Sequence, residues 1–88
     1  MKVKISRRAK KQLKKLSRID QIVIVEKIRR LAKLKELKRG EKLKGYKNIY
    51  KFRVGSYRVV YKRTSQEVFI VLIGHRKDIY LVMKRLFD

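Results

Sequence analysis

The spacing of apolar residues changes near Gly45, and this change constrains the fold more than any other feature of the chain. Before it, apolar residues recur at helical intervals, as Ala9, Leu13 and Leu16 do. After it, in residues 50–63, apolar residues mostly alternate with basic ones, as the two faces of a strand would. We therefore expect an α+β domain in which helices and strands occupy separate parts of the chain.

Two helices are predicted in the first half of the chain. Ser6 is a typical N-cap, and the first helix should run from Arg7 to near Ser17. Asp20 is the expected N-cap of a second helix, which Gly40 would end. The apolar stripe of the second helix consists of Ile24, Ile28, Leu31, Ala32, Leu34 and Leu37. The two helices should form a hairpin.

Ile22 and Val23 lie off the main apolar stripe of the second helix. The simpler interpretation is that they make additional core contacts with the first helix, and we favour it. The alternative is that they form a second apolar surface for a partner.

Strands and one more helix account for the rest of the chain. Residues 3–5 follow an alternation with lysine that suits an edge strand. Residues 68–73 are apolar without interruption, as expected for a central strand covered on both faces. A last helix is predicted from Asp78, its N-cap, to Phe87. The expected order is β-α-α-β-β-β-α within a single domain spanning residues 1–88.

A two-residue turn at Gly55 and Ser56 is predicted to fix the register of a β-hairpin. Gly followed by Ser between two alternating runs suits a type II′ turn, and counting outward sets Arg53 opposite Arg58. The side predicted to face the helices carries Tyr50, Phe52, Val54, Tyr57, Val59 and Tyr61. The other side carries Lys51, Arg53, Arg58 and Lys62. Like charges directly opposite are unfavourable unless an anion binds, so we favour a phosphate site over a merely solvated face.

The charge balance indicates a polyanionic partner. There are 28 Lys and Arg against 7 Asp and Glu, a formal net charge of +21. Such an excess favours nucleic acid, and its size weakens the alternative that the charge serves only solubility. A membrane surface is disfavoured because the helices carry only Ile, Val, Leu and Ala on their apolar sides.

Several classes of protein are excluded by what the chain lacks. Without Cys there is no disulfide framework, no thiolate nucleophile and no Cys-ligated metal. The start of the chain lacks the apolar run of a signal peptide, and no stretch approaches the roughly 18 apolar residues of a membrane span, so we expect a cytoplasmic location. The carboxylates are scattered and His75 is the only histidine, so we expect no metal site and no cofactor. Any nuclease activity should therefore be metal-independent and use the 2′-hydroxyl of RNA as nucleophile.

Four short motifs follow one another in the second half of the chain. They are Leu43-Lys44-Gly45, Tyr50-Lys51-Phe52-Arg53, Tyr57-Arg58-Val59-Val60-Tyr61, and Gly74-His75-Arg76 followed by Tyr80. In order and spacing these motifs resemble the RelE branch of the RelE/ParE toxin superfamily. The resemblance implies a RelE-like fold in which a two-helix N-terminal hairpin packs on a twisted antiparallel sheet. It also implies the toxin of a type II toxin-antitoxin system that cleaves messenger RNA in the ribosomal A site. A cognate acidic, RelB-like antitoxin would block this activity in a hetero-oligomeric complex.

The resemblance also implies roles for individual residues. Lys51 or Arg53 falls where the family places its general base. Arg58 and Arg76 fall where the family binds the scissile phosphate and helps protonate the leaving oxygen. Tyr80 falls where the family stacks an aromatic ring on a nucleobase. Because position 53 is Arg where a second Lys is common, Lys51 is favoured as the base. Lysine has an ordinary pKa near 10.4, so Lys51 would need its pKa lowered by neighbouring cations to act as a base.

Other basic residues near these motifs are expected to add nucleic-acid contacts. They are Lys44, Lys47, Lys62, His75 and Lys77. Two alternative functions stay open: a ParE-like toxin that inhibits DNA gyrase, and a non-enzymatic RNA-binding protein that uses the same charge only to neutralise phosphates. Tyr80 could also pack in the core beside Met83 instead of stacking on a base.

Overall fold

The computed structural model of the protein describes residues 2–33, 41–75 and 78–87. Its elements are β1 (Lys2–Ile5), α1 (Arg7–Lys14), α2 (Arg18–Lys33), β2 (Glu41–Lys42), β3 (Ile49–Val54), β4 (Tyr57–Arg63), β5 (Glu67–His75) and α3 (Ile79–Phe87). The predicted α+β class and element order are confirmed. Within the described ranges, the one element beyond the prediction is the two-residue strand β2.

The strands form one sheet in the order β1-β5-β4-β3-β2. Strands β2 to β5 pair antiparallel, as predicted, whereas β1 pairs parallel with β5, so the sheet is mixed. The direction of β1 is not constrained by a hairpin, because two helices follow it before the next strand. Strand β5, which contains the uninterrupted apolar run 68–73, is an interior strand between β1 and β4, as its sequence indicates.

Each face of the sheet packs against helices. On one face α1 and α2 cover the main core, whose buried residues are Ala9, Ile24, Ile28, Leu31, Phe52, Val59, Tyr61, Val68, Ile70 and Ile73. On the other face α3 covers a smaller core of Ile49, Val60, Leu72, Ile79 and Met83. Helix α3 and this smaller core cover only part of that face of the sheet. The basic side chains of β3 and β4 lie on the uncovered part.

The β3–β4 hairpin has the predicted register. Arg53 lies opposite Arg58, and Tyr50 lies opposite Tyr61. Gly55 has a φ of +57°, the left-handed conformation that the first central residue of a type II′ turn requires. The rings of Tyr50 and Tyr61 stack with centroids 5.6 Å apart on the face beneath α1 and α2. The register therefore directs aromatic residues to the main core.

Ser6 joins the start of α1 to an irregular point in β5. The β4–β5 pairing shifts by one residue, which leaves Val71 without an opposite residue. The Ser6 hydroxyl donates to the Val71 carbonyl at 2.7 Å and accepts from the Ala9 amide at 3.0 Å. Nearby, the side-chain oxygen of Gln12 accepts from the Ile73 amide at 2.8 Å. The N-cap side chain and one side chain within α1 thus satisfy backbone groups of β5 around the bulge.

The corner between the first two helices differs from the prediction. Helix α1 ends at Lys14, earlier than expected, and the N-cap of α2 is Ser17, whose hydroxyl accepts from the Asp20 amide at 3.2 Å. The prediction of Asp20 as N-cap is therefore wrong. Asp20 lies in the first turn, where its negative charge is favourable near the helix N-terminus. Gln21 stabilises the turn between α1 and α2, because its side-chain amide donates to the Leu16 carbonyl at 2.9 Å.

The apolar residues beside the main stripe of α2 are exposed. Ile22 is 59% exposed and Val23 46%, and Ile19, one turn earlier, is 74% exposed. The expectation that Ile22 and Val23 make core contacts is therefore wrong. Ile24 and Ile28 occupy the side that faces the sheet, and successive helical residues differ by about 100° in direction, which turns Ile22 and Val23 outward.

The predicted C-terminal part of the second helix cannot be compared with the structure, because Leu34, Leu37 and Gly40 lie outside the described residues.

The predicted start of the last helix can be compared. Asp78 directly precedes α3, and its carbonyl accepts from the Val82 amide at 3.2 Å, as expected of an N-cap position. Among the helices described, none has the length and apolar composition to cross a membrane.

We predict that Ser6→Ala lowers the free energy of unfolding by about 1–2 kcal/mol, because it removes a helix cap and leaves a β5 carbonyl without its donor. Urea denaturation followed by circular dichroism measures this change. Ser65→Ala, at an exposed turn position, is the control and should shift stability by less than about 0.5 kcal/mol. Equal stability of the Ser6 variant and the wild type would contradict the role assigned to this hydroxyl.

Candidate active site

A cationic cleft lies on the sheet face that α3 only partly covers. It is an open cleft of about 400 Å³. Its lining residues are Glu41, Lys51, Phe52, Arg53, Arg58 and Tyr80. Strands β2, β3 and β4 and the first turn of α3 each contribute at least one of these, so the cleft depends on the tertiary fold.

The β-strand register positions the two central arginines. Arg53 and Arg58 are directly opposite on β3 and β4, and Arg58 is next to Gly74 of β5. Ile79 of α3 packs directly above Gly74, about 3.7 Å from where a Cβ atom of residue 74 would lie. The first turn of α3 is thereby held close to Arg58.

Arg58 is a buried cation. It is 9% exposed, and its guanidinium donates to the Tyr57 carbonyl at 3.4 Å. Within the described part of the chain no carboxylate forms a salt bridge with it. A buried charge without a counter-ion is unfavourable, and so are two like charges placed directly opposite on paired strands. A bound anion would offset both effects, which makes this the expected place for a phosphate group.

Lys51 and Tyr80 form a direct contact at the edge of the cleft. The Lys51 ammonium donates to the Tyr80 hydroxyl at 2.8 Å and lies 5.0 Å from the centroid of the ring. Tyr80 is 41% exposed, whereas Met83, on the next turn, is buried. Tyr80 is therefore not a core residue beside Met83, and its ring is accessible from the cleft.

The Tyr80 phenol has a lowered pKa. The largest cause is the hydrogen bond from Lys51, which favours the phenolate over the phenol. Partial burial acts in the opposite direction by disfavouring the charged form, and the positive charge of Lys51 and contacts with Arg58 lower the pKa further. The cleft thus stabilises negative charge at the position of the Tyr80 oxygen.

The structure distributes the other predicted contact residues over the surface. Lys62 is exposed on the same sheet face as the cleft but lies opposite Ile49, at the far end of β3. His75 lies opposite Tyr57, and its ring meets the Tyr57 ring edge-on at 5.7 Å. Since Tyr57 packs against the main core, His75 is on the face away from the cleft.

Two further predicted residues lie in a loop away from the cleft lining, and two lie outside the described residues. Lys44 and Lys47 are exposed in the loop between β2 and β3, where they line a separate surface depression. Arg76 and Lys77 lie outside the described residues.

Glu41 is a cleft residue that the sequence analysis missed. It lies on β2 directly opposite Lys51 and is the one carboxylate among the described residues that line the cleft. A two-residue strand shows no alternation, so the sequence gives no register for it. Only the pairing of β2 with β3 brings this carboxylate to the cationic face.

The chemistry available in the cleft is charge stabilisation and proton transfer. Arginine donates to phosphate oxygens in a fixed geometry and keeps its charge, which suits the charge that develops during phosphoryl transfer. No group of three or more His, Cys, Asp or Glu side chains in the described regions could hold a metal ion.

We predict that Lys51→Met raises the pKa of Tyr80, because it removes both the hydrogen bond and the charge that favour the phenolate. Titration of the Tyr80 Cζ carbon by NMR, assigned with a Tyr80→Phe variant, measures this. Because folding lowers the Tyr80 pKa, its contribution to stability grows as the pH rises and is lost as the pH falls through the folded-state pKa. Lys27→Met is the matched control, since Lys27 lies over the Phe52 ring instead and should leave Tyr80 unchanged. Identical titration of Tyr80 with and without Lys51 would contradict the contact.

Comparisons with known proteins agree with this architecture. Residues 3–80 match the family described as ParE toxin of type II toxin-antitoxin system, parDE. Toxin RelE3 of Methanocaldococcus jannaschii is 36% identical over 59 residues, which cover 66% of this chain and 67% of the relative.

Solved structures of RelE proteins have the same fold. The RelB-RelE antitoxin-toxin complex from Methanococcus jannaschii contains a chain that is 27% identical, with a TM-score of 0.70 and coverage of 97% of this chain and 99% of that one. In the intact E. coli RelBE toxin-antitoxin complex, the matching chain has a TM-score of 0.75 at 24% identity, covering 86% of this chain and 96% of that one, which supports the fold alone. From the family match over most of its length and the RelE relative, the chain belongs to the RelE/ParE superfamily of type II toxin-antitoxin toxins.

Proposed function

We propose that this toxin is a ribosome-dependent endoribonuclease that cleaves messenger RNA and so inhibits translation. The observation that carries the proposal is the cleft in which Arg53 and Arg58 face each other beside the Lys51–Tyr80 pair. Such a cleft fits a phosphate with an adjoining base, which is the unit that RNA cleavage requires. Cleavage of messenger RNA on ribosomes also places the protein in the cytoplasm.

In the proposed reaction the RNA supplies its own nucleophile. The 2′-hydroxyl attacks the adjacent phosphorus, and the negative charge that builds up on the phosphate oxygens is stabilised by Arg58, with Arg76 as a second predicted phosphate ligand. Tyr80 can stack on a base, a contact worth on the order of 1–3 kcal/mol. Lys51 and Arg53 contribute positive charge, and Lys51 is the favoured base of the two, as the family resemblance implies.

The open shape of the cleft supports a requirement for the ribosome. An exposed cleft of about 400 Å³ holds little more than one or two nucleotides and leaves the rest of the strand unbound. Orienting the 2′-oxygen, phosphorus and leaving oxygen in line contributes a large share of such catalysis. A ribosome that holds the messenger RNA in its A site would supply this orientation.

The closest alternative is inhibition of DNA gyrase. It is favoured by the family match, whose description names ParE. The same positive charge could also serve RNA binding without cleavage. The cationic set around Arg58 distinguishes the proposal from both, because neither gyrase inhibition nor simple phosphate neutralisation requires a buried arginine beside a hydrogen-bonded lysine and tyrosine.

We predict that the wild-type toxin produces discrete cuts in a reporter messenger RNA during translation, and that Arg58→Ala lowers the cleavage rate by about 100-fold or more, because one phosphate ligand is lost. Primer extension on the reporter in a translating extract measures the cuts. The Arg58→Ala protein, purified in the same way, controls for contaminating nucleases. Arg58→Lys should restore little activity, since an ammonium cannot donate bidentately.

Arg30→Ala is the matched control, because Arg30 is exposed on α2 in the opposite layer and should not affect cleavage. Intact messenger RNA after incubation with folded wild-type toxin would refute the nuclease proposal. Supercoiling assays with purified gyrase would then test the first alternative.

We further propose that an acidic antitoxin segment docks on α2. Relatives of the chain have been solved as RelE–RelB complexes, including that from Pyrococcus horikoshii. On this chain Ile19, Ile22 and Val23 form an exposed apolar strip with the spacing of one helical face. Cationic side chains, including Arg18 and Arg29, flank it. An amphipathic helix with acidic borders would complement this surface.

We predict that Ile22→Lys weakens binding of the cognate antitoxin about tenfold or more, because it places a charge in the centre of the apolar strip. Isothermal titration calorimetry measures the affinity. Gln66→Lys adds the same charge in an exposed turn and should leave the affinity unchanged. Messenger RNA cleavage by the Ile22 variant should equal that of the wild type, because the strip and the cleft lie in different layers. Unaltered antitoxin affinity would exclude this docking surface.

A further inference from the structure

We propose that Lys27 of α2 is a positioning residue for Arg53, because it restrains the end of β3 so that the Arg53 side chain keeps its place in the cleft. This inference rests on the proposed RNA cleavage, since the position of Arg53 affects function only if the cleft is used. Lys27 contacts β3 from the helix side and is not among the described residues that line the cleft.

The end of β3 has an open outer edge. Strand β2 pairs only with Tyr50 and Lys51, so within the described chain residues 52–54 have no neighbour on that side. The two residues that flank a two-residue turn form a hydrogen-bonded pair, and such pairs alternate with non-hydrogen-bonded ones along an antiparallel ladder. Arg53 and Arg58 form the next pair, which is non-hydrogen-bonded. The Arg53 carbonyl therefore points to the open edge.

Lys27 covers this edge with two contacts. Its ammonium donates to the Arg53 carbonyl at 3.0 Å and lies 5.4 Å from the centroid of the Phe52 ring. Phe52 is buried in the main core, whereas Arg53 is exposed on the cleft face. One lysine of α2 thus holds two consecutive residues of β3, one from each face of the sheet.

The repulsion between the two arginines makes this restraint important. In a non-hydrogen-bonded pair the Cα atoms are only roughly 4.5 Å apart, which brings like charges closest together. Arg58 is buried and fixed between β3 and β5, so the repulsion acts on the exposed Arg53 and on the open edge that carries it. A hydrogen bond from Lys27 holds the Arg53 backbone against this force, whereas water at the same carbonyl would not.

The position of Lys27 favours an action through Arg53 over a direct contact with the reacting phosphate. Its ammonium is engaged by the Arg53 carbonyl and by the Phe52 ring beneath α2, while the cleft opens on the other face of the sheet. Loss of Lys27 should therefore lower the rate of the chemical step and leave binding of the ribosome nearly unchanged.

Lys27→Met tests the assignment, because methionine keeps an unbranched apolar stem over Phe52 but has neither the donor nor the charge. Single-turnover cleavage is measured with increasing concentrations of ribosomes that carry messenger RNA, which gives the maximal rate and the half-saturating concentration. A misplaced group costs up to about 100-fold per ångström, so for a partial restraint the maximal rate should fall about tenfold and the half-saturating concentration should change less than about twofold.

Two further substitutions on α2 complete this comparison. Lys27→Arg keeps a charged donor and should restore most of the maximal rate. Lys33→Met makes the same change at another exposed lysine of the helix and should cleave like the wild type. Circular dichroism at the assay temperature confirms that each variant is folded.

A double-mutant cycle shows whether Lys27 acts through Arg53. Arg53→Ala removes the side chain that Lys27 positions but keeps the backbone carbonyl, so adding Lys27→Met to it should lower the maximal rate by less than about twofold. A general loss of structure or of positive charge would instead slow the Arg53→Ala protein by the same factor as the wild type.

NMR tests the contact itself without any cleavage. The Arg53 carbonyl ¹³C resonance should move upfield in Lys27→Met, since the carbonyl loses its donor, and should stay in place in Lys33→Met. Relaxation of the Arg53 Nε nitrogen should report a more mobile guanidinium in Lys27→Met. An unmoved Arg53 carbonyl resonance would overturn the inference whatever the cleavage assay shows.

The outcomes separate this inference from the proposed function. If the wild type cleaves and Lys27→Met has the same maximal rate, the role of Lys27 is overturned and the nuclease proposal stands. The same conclusion follows if only the half-saturating concentration rises, if the two substitutions slow cleavage independently, or if Arg53→Ala cleaves like the wild type. A folded wild type that never cleaves overturns both. A loss of rate that requires Arg53 and is reversed by Lys27→Arg supports the assignment.

Discussion

The two-residue turn at Gly55 is the constraint on which the rest of the molecule depends. It sets the register of β3 against β4, and the register alone decides which residues meet the helices. A slip of one residue would move the tyrosines and Phe52 into solvent and the arginines into the main core. The hairpin therefore sorts the chain into an apolar face that stabilises the fold and a cationic face that performs its function. The positive φ of one glycine links stability and activity.

Much of this could be predicted because it depends on local patterns. The hairpin register follows from counting outward from the turn, and the Ser6 cap follows from residue type next to an apolar period. The missed features depend on contacts between distant segments. Strand β2 is too short to alternate, so the position of Glu41 opposite Lys51 is visible only in the sheet. The parallel direction of β1 is set by packing across two helices. Ser17 and Asp20 are both good caps, and the structure shows that the Ser17 hydroxyl accepts from the Asp20 amide.

The cleft illustrates how a small domain tolerates unfavourable charge at a functional site. Arg58 is buried without a carboxylate partner in the described structure, and Arg53 faces it across the ladder. These positions reduce stability in the free protein and would be relieved by an anion, so the same arrangement that weakens the fold favours phosphate. The main core beneath α1 and α2, with its stacked tyrosines, supplies the stability that makes this possible. Function and core lie on opposite faces of one sheet.

The bulge in β5 is held by a hydrogen bond from the start of α1, but it affects the cleft on the opposite face of the sheet. If β5 paired with β4 without a bulge, so that Val71 lay opposite Val60, every later residue of β5 would move by one position and Ile73 would stand beside Arg58 where Gly74 now lies. An isoleucine there would fill the floor of the cleft and push the first turn of α3 outward, carrying Tyr80 away from Lys51. The hydroxyl of Ser6 holds the bulge from the helical side. The N-cap of α1, on one side of the sheet, thus helps to maintain the register of β5, which determines the shape of the cleft on the other side.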